Sequence, residues 1–193
     1  MIYEGIVCTS NAAGQAHLTP LGYRMEQNRV ILAPFIPSTT LSNLQATGLA
    51  SLNFTDDVRV FAGCLTNRRD WPLCKAETIK AFRLQACLSH LELEVEETQA
   101  DELRPRFVCK VSHSAVHQAF RGYNRAQSAV IEACILVSRL DMLPREKIHN
   151  EMTYLNIAIE KTAGERELIA WQWLLERIDA HSEHAGLKAA LSD

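Results

Sequence analysis

The chain lacks most of the signatures that assign a function quickly. None of its six cysteines stands in a C-x-x-C pair, so no zinc ligand set can be read from spacing. No G-x-G-x-x-G occurs, which excludes a Rossmann dinucleotide turn. There is no run of Lys or Arg, and the formal charge of −3 is spread along 193 residues. That balance argues against a nucleic-acid partner. Apolar runs are too short to span a bilayer, and the first residues lack a basic-then-apolar signal segment. The expectation is a cytoplasmic protein with reduced thiols and no membrane partner. Cys8, Cys87, Cys109 and Cys134 lie within apolar patterns and read as small core residues. Repeats and low-complexity segments are absent, as is any Ser–His–Asp or Cys–His pattern for nucleophilic catalysis.

The most informative stretch is V-I-L-A-P-F-I-P-S-T-T-L-S-N, Val30 to Asn43. A buried-type strand runs to Ala33 and stops at Pro34. After a turn, Ser38, Thr39 and Thr40 stand where a short helix begins, and Gly48 ends it. A helix start offers unpaired N–H groups and the positive end of the dipole. Added hydroxyl donors turn that start into a phosphate socket. The competing reading is a plain N-cap, for which Ser and Thr are favoured.

The first two thirds read as β-rich. Tyr3–Ser10 and Gln15–Met25 form a hairpin through N-A-A-G, and Glu26–Asn28 turns the chain into Arg29–Ala33. Leu49–Phe54 and Val58–Leu65 are expected strands, and Thr66–Ala76 a loop. Phe82–Thr98 is expected as one long strand with Leu91, Leu93 and Val95 inward and Glu92, Glu94 and Glu96 outward. Arg104–His113 pairs with it. The period then becomes helical: Ala126–Leu140, a second helix from Pro144 to about Lys161, and a third from Glu165 to about His181, with a frayed end. The predicted fold class is α+β: an antiparallel barrel over residues 1–118 and a three-helix extension over 119–193, packed on the barrel.

Several residues have a functional and a structural reading. Arg24 is either a phosphate ligand or a strand charge paired with Glu26. Asn124 and Arg125 start a helix and offer a second anion site, but Asn124 also reads as a cap with Gln127 three residues on. Thr9 and Thr19-Pro20 are ordinary strand residues by themselves. His113 and His117 are four apart, yet no acidic third ligand is placed with them, so no metal is expected. Trp171 and Trp173 cannot share one helix face, which puts one in the core and the other partly exposed.

Taken together, I-V-C-T (Ile6–Thr9), L-T-P-L-G-Y-R (Leu18–Arg24), S-T-T-L-S-N-L (Ser38–Leu44), L-N-F-T-D-D (Leu52–Asp57), G-Y-N-R-A-Q-S-A-V-I-E-A (Gly122–Ala133) and E-K-T-A-G-E-R-E-L (Glu160–Leu168) resemble the flavin-binding split-barrel superfamily. Within it they are similar to the group termed domain of unknown function 447. The resemblance implies an FMN-binding homodimer with the flavin at the interface. It implies that Ser38, Thr39 and Thr40 form the phosphate turn with Asn43 one helical turn on. By the same resemblance Thr19, Pro20, Leu21 and Gly22 run beside the ring, Arg24 reaches the phosphate, and Thr9 adds a contact. The implied activity is an oxidoreductase passing hydride or electrons between FMN and a small-molecule substrate or donor, with a folate-like or pterin substrate as one option the resemblance leaves open. A non-catalytic FMN store or sensor, and a barrel binding another phosphorylated cofactor, are the rival readings.

Overall fold

The computed structural model describes residues 1–190, with side chains to 183. In chain order the elements are β1 (Tyr3–Ser10), β2 (Ala16–Glu26), β3 (Arg29–Leu32), α1 (Thr39–Thr47), β4 (Leu49–Phe54), α2 (Arg59–Leu65), β5 (Leu73–Lys75), β6 (Phe82–Leu84), β7 (Ser89–Gln99), β8 (Arg106–Val116), α3 (Arg125–Val137), α4 (Arg145–Thr162) and α5 (Glu165–Ala190). They fall into two compact units. One comprises residues 1–56 and 70–120, the other residues 57–69 and 121–193.

The first unit is a closed barrel in the order β1-β2-β3-β8-β7-β4, with β5 and β6 as a separate two-stranded sheet. All neighbouring strands in the barrel run antiparallel. The β1–β2 hairpin closes as expected: Asn11 Oδ1 accepts from the N–H groups of Ala13 and Gln15, and Gly14 takes φ 79°. Beside the β1–β4 pairing, a Cβ on Gly5 would lie 2.7 Å from Leu52 Cδ1, so a larger residue there would have to displace that buried leucine. Helix α1 packs on β1, β2 and β4. A nine-residue helix is marginal alone. Burial of Leu41 and Leu44 in the barrel core holds it, at roughly 1.5–3 kcal/mol per side chain.

Three sequence expectations are corrected in this region. Arg59–Leu65 form helix α2, with Val58 as its N-cap, and not a strand; by its contacts Asp57–Arg69 falls in the unit that contains residues 121–193. The run V-R-V-F-A-G-C-L is apolar in a way that periodicity cannot distinguish between a buried strand and a short buried helix. Second, the expected strand 82–98 is two strands, and part of the expected loop, Leu73–Lys75, pairs with the first of them. Buried Asn53 and Ser51 cause the break: Leu84 N–H donates to Asn53 Oδ1 at 2.9 Å and Ser51 Oγ–H donates to the Phe82 carbonyl at 2.8 Å, drawing β6 away from the β7 line. Third, Glu92 is fully buried rather than outward.

The second unit has α3 packed against α4 and α5, and α2 against α3 and α5. Cys64 and Cys134 are buried within it, and burial pushes the Cys64 thiol up to about 11. Trp171 is core, while Trp173 lies under the Arg68 guanidinium at 4.9 Å from the ring centroid. The last helix continues through Ala190, past the expected end near His181, whose Nε2 pairs with Asp141 at 2.8 Å; His184 lies outside the described side chains. Among the described residues no helix is long and apolar enough to cross a membrane.

Candidate functional site

Chain geometry builds the α1 end of the barrel. Pro34 closes β3, and the segment to Pro37 is tied down by a loop the sequence did not single out: Ile36 N–H donates to the Leu103 carbonyl at 2.9 Å, and Arg104 Nε donates to the Ala33 carbonyl at 3.0 Å. The Arg104 guanidinium also covers the Phe35 ring at 4.3 Å. This fixes where Ser38 begins the helix.

Ser38 is the N-cap, with extended backbone, and its Oγ accepts from Leu41 N–H at 3.2 Å. Ser42 N–H reaches the Ser38 carbonyl at 3.1 Å. The N–H groups of Thr39 and Thr40 precede the i→i−4 ladder. Ser38 is half-buried, Thr39 exposed and Thr40 buried. The expected hydroxyl triplet is therefore two open hydroxyls and one internal one.

Asn43 and Thr9 are brought together but face each other: Asn43 Nδ2 donates to Thr9 Oγ1 at 3.0 Å, both fully or nearly fully buried. They tie α1 to β1. Ser10, adjacent to Thr9, was missed from the sequence; its Oγ is buried with no hydrogen-bond partner, a cost that a polar ligand atom would relieve.

Thr19, Pro20, Leu21 and Gly22 lie in β2 opposite Val7, Ile6, Gly5 and Glu4 of β1. Strand β3 pairs with β2 only over Tyr23–Glu26. Among the described residues β3 does not extend along the other edge of Thr19–Gly22, which is why a proline is tolerated there. Leu21 faces the core, while Thr19, Pro20 and Gly22 are half-exposed. Arg24 is exposed; the expected pairing with Glu26 is replaced by Arg106, whose Nη2 donates to Glu26 Oε1 at 3.1 Å. The second anion candidate, Asn124, is used up as a cap. Its Oδ1 accepts from Ala126 N–H at 2.7 Å and its Nδ2 donates to the Thr162 carbonyl at 3.0 Å. Gln127 does not return to the cap; it donates to buried Glu167 at 3.1 Å.

A polar cluster on the outer barrel face was not legible in spacing. His90 and Glu92 share one face of β7, and β8 sets His113 opposite Glu92 and Ala115 opposite His90. His113 and His117 stand on that same face. The Glu92 carboxylate accepts from the N–H groups of Glu77, Thr78 and Ile79, from Thr78 Oγ1, and from His90 Nε2 at 3.2 Å. Burial would raise its pKa, but those hydrogen bonds, led by Thr78 Oγ1, hold it down at about 2.

The family profile described as "Protein of unknown function (DUF447) N-terminal domain" matches residues 3–118, and "Protein of unknown function (DUF447)" matches residues 124–176. The chain belongs to the DUF447 family. The FMN-bound DUF447 protein MM1853 of Methanosarcina mazei superposes with a TM-score of 0.79 at 18% identity, covering 91% of this chain and 94% of its own. Flavoredoxin of Methanosarcina acetivorans gives 0.52 at 19% identity over 60% of this chain and 69% of its own. The 2-nitrobenzoate 2-nitroreductase NbaA of Pseudomonas fluorescens gives 0.52 at 15% over 59% and 64%. Among curated proteins none shows significant sequence similarity. The fold of this DUF447 member is thus the split barrel found in flavin proteins, carrying a helical unit.

Proposed function

We propose that this DUF447 protein binds FMN as a homodimer and passes hydride or electrons through it between a reduced donor and a small-molecule acceptor. The observation that carries the reading is the end-to-end likeness to an FMN-bound member of the same family. The chain's own residues fit a phosphate and a ring. Ser38 Oγ–H, Thr39 Oγ–H and the N–H groups of Thr39 and Thr40 converge at the positive end of α1 and would hold the phosphate. The unpartnered edge of Thr19–Gly22 would offer N–H and C=O groups to the pyrimidine side of the ring. Arg24 would add a permanent charge. The side chains of Thr40, Thr9 and Asn43 would act by positioning α1, Thr40 meeting the phosphate through its backbone N–H alone.

Bound FMN supplies the redox chemistry, so no side chain need serve as acid or base. The test is the visible spectrum of the purified protein before and after FMN addition and desalting, followed by anaerobic addition of NADH or NADPH. Retained flavin bands that a nicotinamide bleaches repeatedly, in air-cycled turnover, support the oxidoreductase. Retained bands that neither donor bleaches leave a flavin store. A protein that holds no FMN overturns the reading, and a strictly monomeric protein at micromolar concentration overturns the homodimer.

A further inference from the structure

We propose that Cys87, His90 and His117 form a site for a divalent transition-metal cation of the zinc class, on the outer face of the barrel and separate from the flavin residues. Their ligand atoms, Sγ and two ring nitrogens, lie within 4.8 Å of one another. His90 Nδ1 and His117 Nε2 are 3.0 Å apart across nearly parallel rings. Two imidazole nitrogens on one tetrahedral ion stand about 3.3 Å apart, so occupancy requires a small outward movement of exposed His117 and a shift of its ring proton from Nε2, which donates to His90 Nδ1, to Nδ1. Cys87 and His90 are buried and already fixed.

The tautomer of His90 is set from behind. Glu92 is an acceptor-only carboxylate, so His90 Nε2 carries the proton it donates at 3.2 Å, and Nδ1 presents its lone pair to Cys87 and His117. A carboxylate behind a ligating imidazole is the arrangement that orients metal-binding histidines. The four further donors to Glu92 make this support rigid. Three charged or titratable groups, Arg83, Glu77 and His113, flank the ligand set. Burial pushes the Cys87 thiol up and the Arg83 guanidinium beside it offsets part of that rise, so a bound cation would supply the drive to thiolate; Glu77 pairs with His113 at 2.8 Å. The alternative set Glu77, His90 and His113 shares His90, but its other two members are engaged with each other. Thiolate and imidazole together select zinc-like ions over magnesium or calcium.

The experiment is titration of the tag-free, reduced, full-length protein with Co²⁺ alone, and then with Zn²⁺ as competitor. The expected result is one equivalent bound, with tetrahedral d–d bands at wavelengths beyond flavin absorption and a thiolate-to-cobalt charge-transfer band. His117→Ala, at an exposed position, should weaken binding at least tenfold. Cys87→Ser should abolish the charge-transfer band, and His113→Gln should leave both unchanged. Failure of the wild type to bind stoichiometrically overturns the site. Wild-type behaviour of both His117→Ala and Cys87→Ser also overturns it, as does loss of binding in His113→Gln alone. Neither band depends on whether FMN is bound.

Discussion

Two helix starts look alike in the sequence and differ in the structure. Asn124 begins α3 with every polar group spent on Ala126, Gln127 and Thr162, and Thr162 Oγ1 takes a second share of the Ala126 N–H at 3.1 Å. Ser38 begins α1 with a single side-chain cap bond to Leu41, and exposed Thr39 stands next to it. Residue preference for caps is the same in both places. What differs is the neighbour: α4 ends against the first helix start, whereas a pinned loop leads into the second. A polar group satisfied inside the protein is architectural, and one left with a donor to spare is available to a ligand. Glu92 is the extreme of the first kind and Ser38–Thr39 the example of the second.

The sharpest way to break that contrast is Ser38→Ala/Thr39→Ala. Each hydroxyl bond to a phosphate contributes roughly 1.5–3 kcal/mol, so the pair should weaken FMN by at least about 100-fold. The fold should lose only about 1 kcal/mol, the cap's share. Fluorescence titration of FMN alongside urea unfolding separates the two; unchanged FMN affinity in a folded double variant removes the phosphate turn.

Glu92 should behave in the opposite way. Its pKa is depressed from 4.5 to about 2, so its stabilisation is fully present above about pH 4.5 and is lost as pH falls through the folded value. That difference corresponds to roughly 3 kcal/mol. Urea midpoints of chelator-treated protein should fall as pH drops from about 4.5 towards about 2. Glu92→Gln should flatten this slope while costing stability at neutral pH, because its amide meets N–H donors that need an acceptor. An unchanged slope in Glu92→Gln would assign acid unfolding to other carboxylates.

Much of the barrel was legible because its signals are local. The Asn11–Gly14 hairpin, the Gly48 stop with φ 67° and the strand of L-A-S-L-N-F all follow from residues within a few positions of one another. The α1 start was legible for the same reason. The rest depends on pairing across distance. Helix α2 packs on α3 and α5, partners far along the chain that its own apolar run does not reveal. Glu92 follows a textually regular alternation, yet loop residues 77–79 cover it, and nothing near Glu92 announces that loop. His113 and His117 were spaced for a helix, but His113 lies in β8 and His117 just past its end, where β7 and the 85–88 turn supply their partners.

The smallest expected effect tests the closed end of the comparison. Asn124→Ala removes the cap bonds to Ala126 and Gln127 and the tie to Thr162, although Thr162 Oγ1 still accepts from Ala126. Cap losses run about 0.5–2 kcal/mol, and the retained Thr162 bond places this one near the middle of that range. FMN affinity should not move, because the cap lies in the helical unit and has no donor left to lend. Adding Thr162→Val should cost more than the sum of the single changes, since Ala126 N–H then loses both acceptors. An additive double variant with altered FMN affinity would mean that the two helix starts are not divided between structure and ligand as their hydrogen bonds divide them.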